Sequence, residues 1–238
     1  FYQNYMKSEL QIPIEYCDLI KKNAKFHNIH QGEKVFIIGN GPSIKDTDLT
    51  KIKDARKMVV SNFYLHKDYK IVKPDYYCFA QFTYTDDLND HFYNEWLREI
   101  GEKSGNPQFI FNISEKRLID QCRSFAGKNV NYMYLDHLNT DYYDEVDMTN
   151  KMMMGQSVPI DCIQIAMYMG FKEIYLIGVE HDFILNNSYS YFYERKKSII
   201  GDKNKFWANE KNEVVVDFQS KLTIANEMWK GYTLLKSI

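Results

Sequence analysis

Apolar residues along this chain fall into short unbroken runs, separated by stretches with helical periodicity. Residues 34–39 (KVFIIG) are a β-branched run ending in glycine, the pattern of a parallel strand buried on both faces. Runs of the same kind predict strands over 58–61, 75–80, 108–112, 130–134 and 173–178 (EIYLIG). Between them, apolar spacing and helix-start residues predict helices over 44–52, 88–102, 114–125 and 157–169, with Ser114 capping the third and Gly170 closing the fourth. The helix over 157–169 is apolar on almost all sides, so it is expected deep in the protein. An amphipathic helix over 8–28 precedes the first strand. At the other end, Phe218, Leu222, Ala225, Trp229 and Tyr232 recur at helical spacing, read as a core-packing stripe.

Strands alternating with helices predict an α/β fold, a doubly wound and mostly parallel Rossmann-like sheet. The expected organisation is a helical extension over 1–33, a ligand-binding α/β domain over 34–191, and a lid segment with a C-terminal helix over 192–238. The lid reading rests on residues 192–213, where the composition turns to Lys, Asn, Glu and Gly over a length unusual for a plain loop. Parallel sheets place ligands at the carboxyl ends of their strands. The residues that follow Ile38, Val60, Phe79 and Ile177 are therefore the first candidates for a site.

Composition narrows the classes. Of 238 residues, 45% are hydrophobic and 26% charged, as in a folded globular protein. The 30 basic and 32 acidic residues leave a net charge of −2, which speaks against nucleic acid as a partner. No run approaches the ~18 apolar residues of a membrane span, and no signal-peptide pattern is present. Cys17, Cys78, Cys122 and Cys162 form no CxxC pair, which argues against zinc and for a reducing, cytoplasmic setting. The chain opens on Phe1 and not on Met, which leaves room for a preceding segment. Its 19 tyrosines suit stacking on sugars and bases, or reflect biased composition alone.

Candidate chemistry begins at Gly39-Asn40-Gly41-Pro42-Ser43. Glycines let backbone amides approach a ligand, and a following helix N-terminus favours phosphate. The string is neither a Walker sequence nor GxGxxG, so ATPase and NAD readings are weak. A second cluster, Gly178-Val179-Glu180-His181-Asp182, puts a histidine at the end of the last strand. An imidazole with a pKa near ~6.5 between two carboxylates is a competent general base. The alternative is a structural histidine tying down the following loop. The other histidines (His27, His30, His66, His91, His137) read as surface residues.

The turn at 39–43, the segment Ser61-Asn62-Phe63-Tyr64 and residues 169–178 (MGFKEIYLIG) together resemble glycosyltransferase family 42, bacterial sialyltransferases that use CMP-sialic acid. They also resemble related proteins of surface-polysaccharide clusters, some described as hydroxymethylpterin diphosphokinase-like. The resemblance implies a GT-A-like variant of the sheet. It further implies inverting transfer of a sialic-acid-like or Kdo-type 2-keto sugar from a CMP donor to a bacterial surface glycan. On that resemblance Asn40, Gly41 and Ser43, within the turn that Gly39 and Pro42 complete, contact the donor phosphate and ribose. Asn62, with Phe63 beside it, contacts the donor, and Gln81 matches a further amide side chain. Gln156 and Ser157 fall near a Thr-Ser-Gly segment that holds the base, although Val158 replaces its glycine. Tyr189 or Tyr191 matches a tyrosine that hydrogen-bonds the leaving phosphate. That family places its catalytic histidine in the lid, whereas this chain has none after His181.

Glu180-x-Asp182 also has the form by which many nucleotide-diphosphate sugar transferases hold a divalent cation. A CMP donor leaves as a monophosphate, so the expectation is no required cofactor, with Mg²⁺ as the alternative. Asp46-Thr47-Asp48 has the same form but belongs to the predicted first turn of a helix. Arg195-Lys196-Lys197 reads as a phosphate clamp, a contact to the cytoplasmic face of the inner membrane, or a solvated triplet. Two other functions stay open: Mg²⁺-dependent pyrophosphoryl transfer to a pterin-type alcohol, and a non-catalytic nucleotide-sugar-binding module.

Overall fold

The strands β1 (Lys34–Ile38), β2 (Arg56–Val60), β3 (Tyr76–Phe79), β4 (Gln108–Asn112), β5 (Val130–Asp136), β6 (Lys151–Met153) and β7 (Glu173–Ile177) form one sheet in the order β6-β5-β4-β3-β2-β1-β7. Every neighbouring pair is parallel, so the sheet is wholly and not mostly parallel. This computed structural model describes residues 12–80, 91–136, 144–185, 191–193 and 217–238. The six predicted strands are all present. The three-residue β6 has no β-branched residue to mark it in the sequence.

The chain steps outward from β1 to β6, then crosses back to add β7 on the far side of β1. The order therefore reverses between β1 and β7, and ligands gather at such a switch point. The two strands run flush, with Lys34 opposite Glu173 and Ile38 opposite Ile177. The turns that leave them are consequently forced together.

Alternate side chains of each strand serve two cores, as a period of two requires. Ile38, Val59, Tyr77, Phe79, Phe109 and Phe111 pack with Ile20 of α1 (Ile14–Lys21), Trp96, Leu97 and Ile100 of α3 (His91–Lys103), and Leu118 and Ile119 of α4 (Lys116–Gln121). The short α2 (Tyr69–Val72) contributes Tyr69 and Val72 to the same layer. Val35, Ile37, Met58, Val60 and Cys78 pack instead with Cys162, Ile165 and Ala166 of α5 (Val158–Tyr168). Burying one such side chain stabilises by roughly 1.5–3 kcal/mol. That burial, and not helix propensity, explains how a six-residue helix such as α4 persists. Helices on both faces make the fold an α/β Rossmann-like one.

α5 lies between the sheet and α6 (Phe218–Ser237), as its all-round apolar character required. Its carboxyl end is clamped by the segment after α1: His30 N–H donates to the Met169 carbonyl at 2.9 Å, and Gly170 closes the helix at φ +81°.

Several local readings are corrected. Residues 44–52 form no α-helix but two 3-10 turns, Pro42–Lys45 and Leu49–Ile52, the second capped by Asp48. Residues 114–125 split into α4 between two further 3-10 turns, and Ser114 donates its hydroxyl to Glu115 without capping α4. The α6 stripe is displaced. Ala225 is buried, but Phe218, Leu222 and Trp229 are 64%, 47% and 56% exposed, while Lys221, Met228, Gly231 and Leu235 face inward. His30 and His66 are buried, not superficial. His30 stacks on Phe171 at 4.5 Å and hydrogen-bonds the Tyr76 hydroxyl, partners distant in sequence. His66 Nε2 meets the Ile44 carbonyl at 3.3 Å, and burial lowers its pKa. Among the described residues no helix is long and apolar enough to cross a membrane.

One buried acid makes a testable pH dependence. Asp161 of α5 is fully buried; its Oδ1 accepts the Gly155 N–H at 2.8 Å, and its Oδ2 has no hydrogen-bond partner among the described residues. Burial pushes its pKa well above the usual carboxylate range. A carboxyl whose pKa rises on folding costs stability as pH climbs above its unfolded value of about 3.9. Asp161→Asn keeps the Gly155 contact and removes the ionisation. Its melting temperature above neutrality is expected to exceed that of the parent by the equivalent of about 1–2 kcal/mol, with the gain vanishing in acid. A pH-independent difference would refute this account.

Candidate functional site

A cavity of about 240 Å³ opens at the switch point. The turn after β1 supplies Gly39, Asn40, Gly41 and Pro42, the end of β2 Val60 and Ser61, and the approach to α5 Gln156, Ser157, Val158 and Pro159. The segment after β7, from Gly178 through Val179, Glu180 and His181 to Asp182, forms the opposite wall with Tyr191. The structure thus gathers ten sequence candidates from four separate stretches of chain. Ser43 is exposed at the rim. Gln81 and Tyr189 lie outside the described residues, as does nearly all of the expected lid.

The two glycine-bearing turns are locked face to face. Gly39 N–H donates to the Ile177 carbonyl and Gly41 N–H to the Gly178 carbonyl, both at 2.8 Å. A Cβ on Gly39 would overlap the Gly178 carbonyl oxygen, and one on Gly41 would overlap Glu180 Oε2. Gly41 has φ −65°, which any residue adopts. The turn therefore needs glycine for closeness to a second segment of chain, not for an unusual backbone. Its amides are correspondingly engaged: the Ser43 N–H donates to Glu180 Oε1 at 3.0 Å.

Asn40 is only 8% exposed. Its Nδ2 donates to the Val60 carbonyl at 3.2 Å, which fixes the orientation of the amide, since a flipped group would set oxygen against oxygen. Its Oδ1 is left buried with no partner among the described residues. A buried acceptor without a donor is uncommon in a folded protein and calls for an explanation.

His181 sits in the left-handed region at φ +53°, lines the cavity and places Nε2 2.6 Å from the Tyr232 hydroxyl of α6. Burial lowers its pKa, opposed by the Glu180 and Asp182 carboxylates. With Nε2 occupied, Nδ1 is the nitrogen left for a ligand. Tyr232, a member of the predicted core stripe, lies 51 positions from His181 along the chain, and only their contact in space reveals the link.

Two candidates serve neighbouring structure. Asn62 is buried, accepting from Trp96 Nε1 at 2.6 Å and donating to the Tyr193 hydroxyl at 2.8 Å. Phe63 is fully buried and stacks on His66. Both anchor residues 191–193: Phe192 packs against Phe63 and His66, and its N–H donates to the Asn40 carbonyl at 3.1 Å. Tyr191 stacks on Tyr193 with ring centroids 5.0 Å apart. The sequence carries no local signal for this anchoring.

Among the described residues no group of three or more His, Cys, Asp or Glu converges to hold a metal ion. Among the described residues Glu180 and Asp182 are the carboxylates on the cavity wall, and Glu180 already accepts the Ser43 amide.

No curated protein matches the chain. The family model described as 6-hydroxymethylpterin diphosphokinase MptE-like matches residues 14–186, from α1 through β7 and every cavity-lining residue except Tyr191, and the chain belongs to that family.

Proposed function

We propose that the cavity binds a cytidine nucleotide and that the protein transfers a 2-keto sugar of the sialic-acid or Kdo type from its CMP ester to a glycan hydroxyl. The observation that carries this reading is the partly unmet donor–acceptor set around the switch point, where the buried Asn40 Oδ1 has no donor among the described residues. Asn40 Oδ1 asks for a ligand hydroxyl or N–H, which a ribose or an amino-substituted base supplies. Among the described residues, the lining includes Glu180 and Asp182 but no lysine or arginine. The CMP ester of such a sugar carries two separated negative charges, one on the phosphodiester and one on the sugar carboxylate. It suits such a wall better than a triphosphate, whose several adjoining charges would need an accompanying cation. His181 Nδ1 would take the proton of the attacking hydroxyl, and a tyrosine hydroxyl such as that of Tyr191 would stabilise the departing phosphate. The proposed reaction requires no metal, takes place in the bacterial cytoplasm or at the cytoplasmic face of the inner membrane, and involves no nucleic acid.

A second reading is favoured by the family match: Mg²⁺-dependent pyrophosphoryl transfer from ATP to a pterin-type alcohol. Thermal shifts with CMP, CDP, UDP, GDP and ATP, each with and without Mg²⁺, separate the two. A ligand at 100 times its dissociation constant adds about 2.7 kcal/mol of stability. Stabilisation by CMP that survives EDTA is expected. Stabilisation by ATP with Mg²⁺ alone would overturn the proposal in favour of the second reading. Tight CMP binding with no turnover on any acceptor would leave a binding module.

A further inference from the structure

We propose that Glu180 gates this cavity: its carboxylate occupies the place of a ligand's anionic group and has to be exchanged for it. The inference rests on the reading that the site takes a phosphate-bearing ligand. Gly178 and His181 both lie in the left-handed region, at φ +66° and +53°, and they bracket Val179 and Glu180. This double reversal folds Glu180 back over the turn that leaves β1. There its Oε1 accepts the Ser43 N–H at 3.0 Å, and its Oε2 fills the space that a side chain on Gly41 would take. On the same cavity, the buried Asn40 Oδ1 has no donor among the described residues. The site therefore has an unmet demand for a ligand donor beside an amide already satisfied by the protein's own anion.

A carboxylate and a phosphate oxygen compete for one N–H, and two like charges at that distance repel. A phosphate ligand reaches Ser43 only in molecules whose Glu180 has rotated away, and its apparent affinity falls by the fraction in that state. The displaced carboxylate stays tethered beside Asp182, so ligands with more negative charge lose more.

Calorimetric titration of CMP and of inorganic pyrophosphate into the parent protein, Glu180→Gln and Glu180→Ala tests the exchange. Both variants are expected to bind both probes roughly tenfold tighter than the parent, with the larger gain for pyrophosphate. Glu180→Gln preserves shape and decides the matter should Glu180→Ala fail to fold. Equal affinities in all three proteins, or weaker binding in the variants, would overturn the exchange while leaving the cytidine reading intact. Tightened pyrophosphate binding with no CMP binding would uphold the exchange and sink the cytidine reading. Binding of neither probe by any of the three would sink both.

Discussion

A His181→Ala protein is expected to lose glycosyl transfer by roughly 10²–10⁴-fold, the usual contribution of a positioned general base. The expectation follows from place as much as from residue type. The imidazole lines the cavity, Nε2 is held by the Tyr232 hydroxyl at 2.6 Å, and the ring meets Trp229 edge to face. In the proposed mechanism Nδ1 would act as base with the Nε2 proton donated to Tyr232, which would also steady the imidazolium formed after proton transfer. Tyr232→Phe removes that acceptor and should slow transfer by about tenfold without abolishing donor binding. Burial lowers the His181 pKa. The neutral, basic form therefore persists below the ordinary value of about 6.5, and the rate should hold into mild acid before falling. Transfer and donor hydrolysis are measured together on the purified protein. A parental transfer rate in His181→Ala would remove the imidazole from the mechanism, leaving it the structural role of tying the segment after β7 to α6.

Strands β1 to β5 were legible because a parallel strand buried on both faces is a continuous apolar run, and such runs show without knowledge of any partner. The same holds for α5. The edge strand β7 shows this kind of run too, although its Tyr175 and Leu176 are 41% and 42% exposed. Weaker elements failed for the converse reason. β6 is three residues long, and residues 42–52 make 3-10 turns because Ile44 and Leu49, both fully buried, have to reach the core within a few residues of the β1 turn. At the site, the residue types at the switch point were readable from strand ends alone, since topology sends those ends to one place. Their partners were not. The glycines at 39 and 41 face Gly178 and Glu180, more than 130 positions later, and His30 is buried by Tyr76 and Phe171. Nothing local distinguishes a glycine that admits a ligand from one that admits another turn of the same chain. Membership of the MptE-like family extends across both turns, so the contact lies within the matched region, 14–186.

Comparing two alanine variants separates closeness from backbone conformation as the reason for glycine. In Gly39→Ala the new Cβ meets the Gly178 carbonyl oxygen and lies 3.0 Å from Val179 Cγ2, at a position with no left-handed strain. Backbone cannot swing aside as a side chain can. The β1 and β7 turns must separate, loosening the Gly39–Ile177 and Gly41–Gly178 hydrogen bonds and carrying Glu180 away from Ser43. The expected loss is about 2–3 kcal/mol, in the range found for overpacked interiors. For a chain of this size it lowers the melting temperature by roughly 5–10 °C. Gly105 presents the opposite case: φ is +67° and nothing lies within 4 Å of an added Cβ. Gly105→Ala should lose only about 1 kcal/mol, from left-handed strain, and leave nucleotide binding unchanged. Gly39→Ala should weaken nucleotide binding as well, because the cavity wall itself moves. Equal stability losses in the two variants, with binding intact in both, would show that the paired turns are not held by close approach, and the geometry assigned to the site would fall with them.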